Sequence, residues 1–131
     1  MKDKLLTFTE VGMILYWLFA ATVVLGFINV PPEYMYSDYK NPLIVSWNWS
    51  FFPLDILFAV FGLLARFGSL KPKSKEVLSV VSLSLMFCAG LMAISFWVIN
   101  HDFDIFWWAI NLWLIILSSW ALIVKFREAN V

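Results

Sequence analysis

The chain has 131 residues, 63% of them hydrophobic and 14% charged, with a formal net charge of zero. Soluble domains average about 45–50% apolar and about 25% charged residues, so this composition excludes a water-soluble globular fold. The charges are segregated along the chain, there is room for one bundle and no soluble domain, and nucleic-acid binding has no support.

The first apolar run covers residues 5–29. Lys2 and Lys4 precede it as they would in a signal peptide. The run is too long for one, Glu10 interrupts it, and no A-x-A site follows, so we read a retained first span. Pro31 and Pro32 are expected to end that helix. The following loop, residues 30–41, carries Tyr34, Tyr36 and Tyr39, which favour the headgroup layer. It is expected to lie along the outer surface.

The second run, 43–65, contains the polar and aromatic stretch Trp47-Asn48-Trp49-Ser50, then Pro53 and Asp55. Either the span is kinked at Pro53, or it is re-entrant with Ser50 capping a shorter helix. Gly68 and Pro72 break the chain before the third run, 77–100. The basic cluster between them reads as a topology signal rather than a lipid site. Residues 101–104 form a tight turn into the fourth run, 105–124, so spans three and four make an antiparallel hairpin. Each run is long enough to cross a bilayer, which takes about 20 residues. The fold expected is an all-α integral membrane antiparallel four-helix bundle, a single domain over 1–131.

Lys2, Lys4, Arg66, Lys71, Lys73, Lys75, Lys125 and Arg127 all fall on one side of that bundle. The other side has Lys40 with Glu33, Asp38, Asp102 and Asp104. Basic residues in short loops mark the cytoplasmic face, so both termini are expected to be cytoplasmic.

Ionisable side chains at membrane depth are costly and mark function by default. Glu10 lies about 8 Å inside the inner boundary and is expected to snorkel or to pair with Lys4 or a loop lysine. Asp55 lies about 16 Å from that boundary, near the midplane. It must be protonated, hydrogen-bonded or in contact with internal water. Helical spacing puts Asn48, Asp55, Ala59, Gly62 and Arg66 on one face of span two. Glu10, Met13, Trp17 and Ala21 share a face of span one, and Ser84, Cys88 and Ser95 a face of span three. On span four, Asp104, Trp107, Asn111 and Ser118 are expected to look inward and Phe106, Trp113 and Trp120 toward lipid.

These faces predict an outward-facing polar pocket centred on Asp55. Its ligand-binding candidates are Asp55, Asn48, Trp47, Ser95, Trp107 and Asn111. Trp97, Asn100, Asp104 and Trp108 complete the expected lining. Against this stands the plainer reading that asparagine and serine only bind helices together and the tryptophans form an interfacial belt. That reading fits Asp55 least, because such glue rarely needs a carboxylate at the midplane. Asp55 is expected to bond to Asn111, Trp107 or Ser95. Cys88, the single cysteine, reads as a packing residue.

His101, Asp102 and Asp104 are too few and too exposed for a metal site, and capping by Asp104 explains them better. No zincin, nucleophile-elbow or P-loop motif is present, no cofactor is implied, and catalytic residues are unknown.

The run from Asn41 to Asp55, NPLIVSWNWSFFPLD, together with Pro31-Pro32-Glu33-Tyr34, resembles the YvaD-like small membrane proteins of Gram-positive bacteria. The resemblance covers the four-span layout and implies a bacterial plasma membrane; it carries over no functional residue. Small multidrug exporters share a glutamate in span one but have a span-three glycine-proline hinge that is missing here. Sterol-isomerase and sigma-two-type proteins share only the layout.

The function expected is binding of a lipophilic or cationic ligand, or of a partner helix, around Asp55. The alternatives are a small proton-coupled transporter or exporter subunit and a lipid-modifying enzyme. Membrane lipids, a lipophilic small molecule, a membrane protein and a second copy of the chain are the partners considered.

Overall fold

A computed structural model describes residues 1–31, 34 and 36–131. It contains four helices: α1 (Lys2–Val24), α2 (Pro42–Phe67), α3 (Pro72–Ile99) and α4 (Ile105–Ala129). Each is long and apolar enough to cross a membrane, and the protein is a multi-pass all-α membrane protein. Pro32 and Glu33, which enter the expectations for the outer loop, lie outside the described residues.

The helix ends follow local chemistry. α1 stops at Val24, five residues earlier than the apolar run, and proline is not the cause. Gly26 adopts a positive φ of 77°, its amide donates to the Val23 carbonyl, and the Phe27 amide donates to Thr22. This is a glycine-terminated Schellman end, which only a residue tolerant of left-handed backbone makes cheaply. α3 ends the same way, with His101 at φ 53° in the glycine position and the Asp102 amide donating to Trp97.

α2 begins at Pro42, whose missing amide costs nothing at a first turn. The Asn41 side chain accepts from the Leu43 amide at 3.0 Å. The helix then runs unbroken past Pro53. The re-entrant alternative is therefore wrong, and Ser50 caps nothing: its hydroxyl donates to the Trp47 carbonyl inside the helix. Asp104 caps α4, its carboxylate accepting from the amides of Phe106 and Trp107 at 3.0 Å each.

α1 packs on α2, α2 on α3 and α3 on α4. The apolar core sits in the half of the bundle nearer the termini, around Leu6, Phe58, Met86, Leu117 and Ala121. Small residues bring the backbones together there. Ser82 donates to the Phe58 carbonyl of α2 at 2.7 Å, and Ala89, Gly90 and Ala93 give α2 and α4 room to approach α3.

That stripe corrects the expectation for span three. The Ser84–Cys88–Ser95 face turns outward, with Ser84 and Cys88 exposed and Ser95 half-buried. Close approach depends on glycine and alanine, which offer less bulk than serine or cysteine at the contact.

Candidate functional site

Toward the loops, the four helices part around a cavity of about 590 Å³. Ligand pockets run about 300–1,000 Å³, so this one has room for a small molecule. Tyr16 and Trp17 of α1, Trp47, Asn48, Phe51 and Asp55 of α2, Ala93 and Trp97 of α3, and Trp107 and Asn111 of α4 line it. Tyr36 reaches over from the loop before α2.

Asp55 is the acidic group of this wall. It is 6% exposed. The Trp17 indole donates to its Oδ2 at 2.9 Å. Its Oδ1 is buried and accepts no hydrogen bond. The partner is thus Trp17, and none of Asn111, Trp107 or Ser95. An asparagine amide has an acceptor on its own helix, and Asn111 Nδ2 donates to the Trp107 carbonyl at 2.8 Å. A buried indole N–H has no such local outlet, so any acceptor it finds comes from elsewhere in the fold. Spacing already put Trp17 on the inward face of span one; an unpaired donor there and a lone carboxylate on span two were the signal that joins them.

Five of the six candidate residues, Asp55, Asn48, Trp47, Trp107 and Asn111, come together on the cavity wall, and so does Trp97. Ser95 does not, because it sits on the outward side of α3. Asn100 is exposed at the end of α3, Asp104 is occupied by the α4 amides, and Trp108 packs on Phe103 at 5.2 Å. A step of one residue turns a helix by about 100°, which separates Trp108 from the Trp107 wall.

The aromatic walls hold one another. Trp47 stacks on Phe96 at 4.0 Å and meets Trp97 edge-on at 5.5 Å. Trp17 contacts Trp49 at 5.1 Å and Phe52 at 5.4 Å. Trp107 makes T-shaped contacts with Tyr16 and Tyr36 at 6.1 and 5.9 Å. Such pairs contribute about 0.5–1.5 kcal/mol each beyond area burial, so the walls are preorganised. Trp97 is 3% exposed and its indole nitrogen has no partner, which places it in the bundle rather than in an interfacial belt.

Phe106, Trp113 and Trp120 are all exposed, as expected of a lipid-facing side. Trp113 does more than that face requires: its indole donates to Thr9 Oγ1 at 3.0 Å, and the residue also borders the cavity.

Glu10 is the second buried carboxylate, and its reading needs correction. It is 0% exposed and makes an ion pair with Arg66 from the end of α2; it neither snorkels nor binds a loop lysine. Arg66 Nε also donates to Thr7 Oγ1 at 3.1 Å. Gly62 provides the space, since a Cβ there would run into the Glu10 carboxylate and come within 2.8 Å of Ser82 Oγ.

Chemically, the cavity wall holds one carboxylate, whose Oδ1 has no hydrogen-bond partner, among tryptophan, tyrosine and phenylalanine side chains. Such walls attract cations, most strongly at tryptophan. The other titratable lining groups are the phenols of Tyr16 and Tyr36. No second carboxylate or histidine stands beside Asp55 on the described wall, as a two-group acid–base mechanism would need. Among the described residues, no three His, Cys, Asp or Glu side chains group as metal ligands.

A family of unknown function, DUF5360, matches over residues 2–130. The chain is 40% identical to the "Uncharacterized protein YvaD" of Bacillus subtilis (strain 168) over 123 residues, covering 93% of this chain and 89% of that protein. No solved structure matches.

Proposed function

The chain belongs to the DUF5360 family, which brings no activity with it, and from the cavity we propose a non-catalytic binding protein for a lipophilic cation. The observation that carries this reading is Asp55, a carboxylate with one unpaired oxygen, on the wall of an aromatic-lined cavity. An ionised carboxylate left bare at that depth is costly, and a bound cation would remove the cost. The surrounding tryptophans would add cation–π attraction and apolar contact.

The test is equilibrium binding of a quaternary ammonium probe to the purified protein in nanodiscs. Asp55→Asn keeps the shape and the bond from Trp17 but removes the charge. It is expected to weaken binding at least tenfold; unchanged affinity would sink the reading.

The protein is proposed to sit in a bacterial plasma membrane with both termini cytoplasmic and the cavity toward the outer face. The eight basic residues near the terminal end support that orientation. In a Cys88-free background, an impermeant thiol reagent applied to intact cells should label Ser37→Cys and spare Ser74→Cys. The reverse pattern would invert the topology.

A further inference from the structure

One side of the cavity lies along α1 and α4. Along the seam between α1 and α4, two contacts pin the helices. One is the hydrogen bond from Trp113 to Thr9; the other is the edge contact of Tyr16 with Trp107. Thr9 and Tyr16 are about 10 Å apart along α1, two helical turns. Between them α1 presents Gly12 and the half-buried Met13, and α4 presents Ala109 and Ile110. Gly12, Ala109 and Ile110 border the cavity and are exposed. Gly12 has no side chain, and a Cβ built there would meet nothing within 4 Å. The result is a window through the wall. Its rim is apolar, with Phe8 77% and Ile110 50% exposed.

The other exits differ. At the loop end Tyr36 lies against Trp107 over the cavity. At the terminal end stand Leu114 and the Glu10–Arg66 pair. Because all four helices cross the membrane, the window faces lipid and not water.

Building on the cation-binding reading above, we propose that the ligand is a single-chain amphiphile with a cationic head. It enters from the bilayer through the α1–α4 window, seats its head at Asp55 and leaves its tail in the window. The bare carboxylate selects the sign of the head and disfavours anionic lipids. A gap made by one glycine and one alanine suits one chain. A tail lying in the window stays in hydrocarbon contact throughout, so binding never strips it into water.

Two probes separate head from tail: a quaternary ammonium nitroxide without a tail, and the same head with a dodecyl chain. Saturable quenching of tryptophan fluorescence in nanodiscs reads both. Gly12→Phe and Ala109→Phe each plug the window without adding a fluorophore. Each is expected to weaken the dodecyl probe at least tenfold more than the tailless one. Leu18→Phe adds similar bulk on an exposed side of α1 that borders neither the cavity nor Gly12, and should leave both affinities as in the native protein. Native affinity for the dodecyl probe in both plugged variants would overturn the window, even where Asp55→Asn still abolishes binding. Equal losses of both probes in both plugged variants would also overturn it, because head and tail would then share one space. If instead Asp55→Asn binds both probes like the native protein, the cation-binding reading beneath the inference fails.

Discussion

Glu10 and Asp55 are both acidic side chains buried within membrane helices, and their surroundings are opposite. Glu10 meets a guanidinium, a glycine that makes room for it and a close-packed core. Asp55 meets one indole N–H and otherwise a cavity. The first carboxylate faces a cation of its own chain; the second has one neutral indole donor and no cation beside it. Two halves of one bundle therefore treat the same chemical problem differently. The half near the termini spends its buried charge on holding α1 to α2. The half near the loops leaves its carboxylate beside a cavity.

The largest effects should come from breaking the Glu10–Arg66 pair. Removing one partner of a buried ion pair costs about 3–5 kcal/mol, because the other charge is left alone. Arg66→Met and Glu10→Leu should each lower stability by that amount in reversible unfolding in mixed micelles. The double variant should recover most of the loss. Gly62→Ala should cost about 1–3 kcal/mol through overpacking, and less once Glu10 is shortened to alanine. If Arg66→Met were neutral, the two carboxylates would no longer differ in kind.

Asp55→Leu tests the other half. It removes a buried polar group with a single hydrogen bond, so stability should stay unchanged or rise while affinity for the ammonium probe falls at least tenfold. A loss of stability comparable to that of Arg66→Met would mark Asp55 as a structural residue.

The smallest effects belong to the helix ends, which lie outside both sites. Asp104→Leu should cost about 1 kcal/mol by removing the cap, and Asp104→Asn should be tolerated. His101→Gly should gain about 1 kcal/mol by relieving the left-handed backbone. Neither should alter probe binding. If Asp104→Asn alone abolished binding, the site would extend to the turn.

The sequence made the four helices legible because composition, run length and breakers all agree. The capping role of Asp104 was equally legible, since an aspartate before an apolar run has a specific bond to make. The end of α1 was not, because one glycine outweighed two prolines further on. Depth alone pointed to Asp55. What periodicity does not reveal is which helix lies beside which. Arg66 read as a boundary marker of span two until α1 and α2 were seen packed together, with Glu10 in its reach. For the same reason Trp17 escaped notice as the partner of Asp55. On α3 the polar residues do not mark the packed face, because close approach of backbones follows size, and it is Ala89, Gly90 and Ala93 that are buried.

Pro53 gives α2 one more property. Its ring nitrogen carries no hydrogen, so the Trp49 carbonyl loses its helical donor two residues from Asp55. The rod is unbroken but lacks a rung beside the cavity. A helix bends at lower cost where a rung is missing. Of the four walls, α2 is therefore the compliant one, and the girth of the enclosure can be adjusted by curvature without pulling packed helices apart.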